Sequence, residues 1–264
     1  MTRIDAQPAE VLQAIARSMD VRAAEPAMQA ICERYMAAID ASAGTTVLEV
    51  GCGNGATATA ILRHLRPARL IGIDPSTAFI DMARRRFAME PRASFSVAEA
   101  AMTGQPNLSA DIVIAHTVYS HLLDPAAAIE EARRILRPGG RLVIFDGDFA
   151  TLTLGLFDGD PLQAAVGAVL RNLVHAPYIM RRLPALAAAA GFAVEAVEPH
   201  GYLQTSQPDY LLTLLSRGAS AAARTGEIGD PLRDGFEAEA RRRVADGSFY
   251  GAMLFVSITV RKRN

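Results

Sequence analysis

Tryptophan is absent, and Cys32 and Cys52 are the only cysteines. They match no zinc or redox spacing, and Cys52 sits among glycines, which argues against a disulfide framework. Neither charge is in excess: 27 Lys+Arg face 28 Asp+Glu, a net −1. Such a balance gives no general field for nucleic acid or an anionic membrane. The arginine clusters at 84–86, 181–182 and 241–243 fall in helix-like segments and read as solvated helix faces. Long apolar runs are missing too. The longest uncharged stretches, such as residues 249–260, are too short to cross a bilayer, and the opening MTRIDAQPAE has no apolar signal core. A reducing cytoplasm is the expected location, with neither a membrane nor a nucleic acid as partner.

Against these absences, half of the residues are hydrophobic, enough for a large core in one α/β domain. Val11, Leu12 and Ile15, then Met28, Ile31, Tyr35 and Ile39, repeat at helical spacing, so residues 1–43 are expected to form a helical cap. The main, ligand-binding α/β domain is expected over 44–264, with cap insertions at about 149–180 and 206–245. Within it, short apolar strands at 45–50, 69–74, 94–97, 111–115 and 141–145 alternate with helices at 56–65 and 77–88 and one opened by Asp124-Pro125. Continuous apolar strands separated by helices indicate a doubly wound parallel sheet covered on both faces. Residues 149–176 read as loop and helix without a clear strand, 180–190 as helix, 192–197 as a strand, and 249–260 as the final strand.

The most informative stretch is Val47-Leu48-Glu49-Val50-Gly51-Cys52-Gly53-Asn54-Gly55, in which a buried strand meets three alternate glycines and then a helix. Glycine serves where φ is positive or where a ligand approaches the backbone. The helix N-terminus beyond offers free N–H groups and a positive dipole end to an anion. Asp74 ends the second strand, 23 positions after Gly51, placed to accept both hydroxyls of a ribose. Pyrophosphate in a dinucleotide enzyme and the methionyl carboxylate of S-adenosylmethionine (SAM) fit this loop equally, and both cofactors carry a ribose.

The spacing is G-x-G-x-G preceded by Glu49 rather than G-x-G-x-x-G. With it, VLEVGCGNG (47–55), IGIDPS (71–76), VAEA (97–100), DIVIAHTVYSHLLDP (111–125) and LRPGGRLVIFD (136–146) follow in order. In these stretches the chain resembles the class I SAM-dependent methyltransferases, and within them the small-molecule branch that includes ubiquinone/menaquinone C-methyltransferase-like enzymes. The resemblance implies a Rossmann-like, seven-stranded, mostly parallel sheet with an antiparallel last strand. It places Gly51 and Gly53 along the methionyl moiety with Glu49 at its edge, Asp74 on the ribose and Pro75 beside adenine. Glu99 takes the place of the acid that accepts from the adenine amino group, although the family commonly has Asp there, and Ala100 adds a backbone contact. His116 falls near the methionyl backbone or the sulfonium.

Methyl transfer from a sulfonium is an in-line displacement governed by alignment and water exclusion, and a base is needed only for a protonated nucleophile. His116 and Tyr119, at the carboxyl edge of the fourth strand, are the candidate catalytic residues. His121 reads as a residue opening the next helix. Asp146 and Asp148 end the fifth strand, but two carboxylates without further ligands do not make a metal site, and no metal is expected. Arg22, Met28, Tyr35, His175, Tyr178, Arg182, His200, Tyr202 and Tyr210 lie in the segments expected to roof the pocket, and Tyr35, His175 and Tyr178 are taken as substrate-binding candidates. The expected partner is a small organic acceptor, and the expected assembly a monomer or homodimer. Three other readings stay open: a SAM enzyme that cyclises or eliminates instead of methylating, an NAD-dependent oxidoreductase, and a SAM sensor without turnover.

Overall fold

A computed structural model describes residues 7–263. The first six residues of the stretch read above for a signal peptide lie outside the described residues. In chain order the elements are α1 (Ala9–Ala24), α2 (Pro26–Ala37), β1 (Thr46–Val50), α3 (Ala56–His64), β2 (Arg69–Asp74), α4 (Thr77–Arg86), β3 (Ala93–Val97) and β4 (Ala110–His116). There follow a 3-10 turn (Tyr119–His121), α5 (Pro125–Ile135), β5 (Leu136–Thr153), α6 (Pro161–Leu173), α7 (Ile179–Ala189), β6 (Phe192–Gln204), α8 (Asp209–Arg224), α9 (Asp230–Ala245) and β7 (Gly251–Lys262).

The strands join in one sheet of order β3-β2-β1-β4-β5-β7-β6. All pair in parallel except β7, which runs antiparallel to both β5 and β6. Successive side chains of a strand face opposite sides. Val47 accordingly packs with Met28, Met36 and Ile61 on one side, while neighbouring Leu48 packs with Ile129, Ile135 and Leu183 on the other. Strand order reverses between β1 and its neighbours β2 and β4, a switch point at whose carboxyl edge open α/β sheets leave a crevice. Local chemistry sets where the flanking helices begin. The Ser76 hydroxyl accepts from the Phe79 N–H (3.3 Å) at α4, and Asp124 accepts from Ala127 (3.0 Å) ahead of Pro125 at α5.

Two strands extend beyond the sequence reading. β5 continues past Asp148 to Thr153 through an irregularity in its pairing with β7, where the Thr151 hydroxyl accepts from the Leu254 N–H (2.9 Å). β6 continues past Val197 to Gln204 despite Pro199 and Gly201, because β6 is the sheet's edge, where a proline forfeits no ladder bond on its open side. The arginine run at 241–243 is not uniformly solvated. Arg243 is 3% exposed and grips Asp160 at the start of α6 through two bonds of 2.7 and 2.9 Å, with Glu239 beside it. Among the described residues no helix is long and apolar enough to cross a membrane.

Candidate active site

Gly51, Gly53 and Gly55 all have positive φ (+67°, +53° and +79°), the region in which a Cβ is strained. Space is tight as well: a Cβ on Gly51 would stand 2.5 Å from Val118 Cγ2, and one on Gly53 would displace the end of the Met19 side chain on α1, whose sulfur would be 2.7 Å away. The loop is tied to the end of β2. Asp74 accepts the Gly53 N–H through Oδ2 (3.0 Å) and the Ser76 N–H through Oδ1 (2.9 Å). Asn54 pins α1 over the loop, donating to the Ala16 carbonyl (3.3 Å) and Asp20 (3.0 Å), while Arg86 holds Asp20 from α4. The anchoring role of Asn54 was hidden in the sequence, because its partners lie more than thirty residues away.

Above the switch point lies a cavity of about 840 Å³, within the range of small-molecule sites. Gly51, Gly53, Asp74, Pro75, Glu99, Ala100 and His116 line one part of it. α1 and α8 wall the rest with Met19, Arg22, Tyr210, Leu214 and Arg217. Arg217 escaped the sequence reading, although Tyr210, Leu214, Arg217, Ala221 and Arg224 recur on one helical face, a signal that was there to be read.

The remaining candidates lie elsewhere. Tyr35 is buried in the core outside the cavity lining, its hydroxyl 2.8 Å from His116 Nδ1 and its ring stacked on Phe145. Tyr119 is 2% exposed within the apolar layer under α5 and α7, away from the cavity lining, and burial pushes its phenol up. Tyr178 is exposed, with the Arg181 guanidinium against its ring, and His175 is exposed with its backbone N–H bonded to the Ser120 carbonyl. His200 and Tyr202 are buried in β6, bonded to Ser257 and Glu25. Asp146 accepts from the backbone N–H and hydroxyl of Ser120, and Asp148 pairs with Arg181.

Burial dominates the site's electrostatics. His116 is held well below the usual imidazole range by burial and then by Arg22, so its ring is neutral at pH 7. His121 lines the cavity with its side chain exposed there; the protein around it, and then Arg217 and Arg22, bring it down to about 4. Burial raises Asp146 to about 6 against its hydrogen bonds from Ser120 and Gly147. Glu49, 1% exposed with Oε2 unpartnered, is raised to about 8 by burial and then by Asp74.

The Glu49 shift sets a pH dependence. Its pKa in the folded state lies above the ordinary 4.5, so the stability linked to its neutral form is complete below about 4.5 and lost as pH rises through about 8. Thermal unfolding followed across this interval should show the Glu49→Gln protein gaining on the wild type as pH rises. Parallel curves for the two proteins would refute the burial of a protonated Glu49.

Residues 48–144 match the family described as a methyltransferase domain. A 37.1 kDa protein of transposon TN4556 from Streptomyces fradiae is 37% identical over 163 residues, 61% of this chain and 47% of that protein. A probable S-adenosylmethionine-dependent methyltransferase of Mycolicibacterium smegmatis is 35% identical over 113 residues, 43% of this chain and 42% of that protein. The chain thus spans less than half the length of these two relatives. Among solved structures, the YcgJ protein of Bacillus subtilis superimposes with a TM-score of 0.62 at 18% identity, over 88% of this chain and 98% of that one, a likeness of fold.

Proposed function

We propose that this chain, whose residues 48–144 match the family described as a methyltransferase domain, binds SAM in the 840 Å³ cavity and transfers its methyl group to a small organic acceptor. One observation carries the reading: the bare backbone at Gly51 and Gly53 and the Asp74 carboxylate, on adjacent strand ends, open into the same cavity as His116 and the α1–α8 wall.

The residues present fit the cofactor. The glycines, in the left-handed region, leave the loop without Cβ atoms, and the unpartnered Glu49 Oε2 is a buried polar atom beside it. In this reading Gly51 and Gly53 flank the methionyl part with Glu49 at its edge. Asp74 holds the ribose, Pro75 lies beside adenine, and Glu99 and Ala100 meet the adenine edge. Bound there, SAM supplies an activated methyl on a positively charged sulfur. The walls exclude water and align the acceptor, the larger share of the rate in such a displacement. Neutral His116, oriented through Nδ1 by Tyr35 and by its stack on Phe145, can take a proton from an acceptor hydroxyl. Tyr119 has no part in this scheme, since its phenol lies outside the cavity lining.

Calorimetry with SAM, S-adenosylhomocysteine and NAD tests the reading. Binding of the first two without NAD is the expected result; NAD binding alone would replace this reading with an oxidoreductase. In turnover with candidate acceptors, S-adenosylhomocysteine is the expected product. Methylthioadenosine would mark a non-methylating reaction.

A further inference from the structure

Two arginines face the acceptor side of the cavity from different helices, Arg22 on α1 and Arg217 on α8. Among the described residues neither is ion-paired. Arg217 donates to a neutral group, the Ser18 hydroxyl (3.1 Å), and the Arg22 guanidinium lies 5.9 Å from the centre of the Tyr210 ring. A third arginine, Arg224, follows Arg217 by seven residues on the same face of α8 and also lines the cavity. The acids of the lining are placed elsewhere. Asp74 belongs to the glycine loop, Asp124 caps α5, Glu99 follows β3, and Glu10 is twelve residues from Arg22 along α1, about 18 Å of helix. Asp146 lies within electrostatic reach of Arg22 without pairing with it, its oxygens being engaged by Ser120 and Gly147.

Two guanidinium groups half-enclosed by protein, close enough to influence each other and, among the described residues, ion-paired with no carboxylate, are an arrangement that folding alone disfavours. The planar fork of arginine matches carboxylate and phosphate oxygens. We infer that the methyl acceptor carries an oxyanion, a carboxylate or a phosphate, held between Arg22 and Arg217. The inference rests on the proposed SAM reading for the word acceptor; the anion site itself rests on the arginines.

The test is calorimetry on protein loaded with S-adenosylhomocysteine, using benzoate, phenyl phosphate and the neutral benzamide as probes. At least one anion should bind about tenfold or more tighter than benzamide. That preference should collapse in both Arg22→Gln and Arg217→Gln, with affinity for S-adenosylhomocysteine unchanged. Tighter benzoate assigns a carboxylate, and tighter phenyl phosphate a phosphate. Equal binding of the three probes, or none, overturns the inference. It is overturned equally if the substitutions weaken S-adenosylhomocysteine and spare the anion preference, because the arginines then serve the cofactor's own carboxylate. Should Arg217→Gln not fold, Arg217→Met and Arg22→Gln carry the same comparison. If S-adenosylhomocysteine does not bind the wild type, the cofactor reading falls by itself, and the probe series on ligand-free protein still decides the anion site.

Discussion

Arg243→Ala is expected to destabilise the protein by about 3–5 kcal/mol, the usual loss when one member of a buried ion pair is removed. At about 2–4 °C per kcal/mol for a chain of this size, the midpoint of thermal unfolding should fall by roughly 6–20 °C. Asp160 is fully enclosed and would be left as an uncompensated charge. Arg243 holds it well below the ordinary carboxylate range, at about 2, by direct hydrogen bonding. Asp160 also accepts the Leu156 and Leu162 N–H groups at the start of α6, so it cannot be exchanged for an apolar residue without stripping that helix of its cap. Arg243→Met combined with Asp160→Asn removes both charges and keeps an acceptor for the cap, and should recover more than half of the loss. Differential scanning calorimetry on the wild type and the two variants decides it. An Arg243→Ala midpoint equal to wild type would show that the pair contributes nothing to the packing of α9 on α6.

Asp74→Ala should weaken binding of S-adenosylhomocysteine by about 1–3 kcal/mol, or roughly 5- to 150-fold, through lost hydrogen bonds to a charged group. Two effects combine in this variant. The ribose partner disappears in the proposed reading, and the Gly53 and Ser76 N–H groups lose the acceptor that holds the loop in shape. Asp74→Asn separates them, since its amide oxygen preserves one of the backbone bonds while the charge is gone. An asparagine variant close to wild type would assign Asp74 to the loop alone, and wild-type affinity in the alanine variant would remove it from the site.

The order of strands and helices up to β5 was legible because each carries its own local signal. The apolar runs of β1 and β4, the glycines after β1, the Ser76 and Asp124 caps and the Asp74 terminus need no distant partner to be recognised. The later elements were less legible where long-range pairing overrides local preference. Pro199 and Gly201 read as breakers, yet an edge strand tolerates them, and 149–153 becomes strand only because β7 lies alongside. Spacing placed Tyr178 and His175 in a roofing segment but could not tell which way that segment turns, and both are exposed.

By itself the sequence determined the doubly wound sheet, the glycine loop and the carboxylate at the end of β2, because hydrophobic period, positive-φ glycine and capping groups act within a few residues. Tertiary structure alone decided the chemistry of the cavity. Whether Glu49 holds its proton, whether His116 is neutral, which face of α8 turns inward, and whether Arg243 meets Asp160 while Arg217 pairs with no acid among the described residues all depend on burial and on partners tens to hundreds of residues away. Those energies are set by what surrounds a charge in space, which no local pattern of residues encodes.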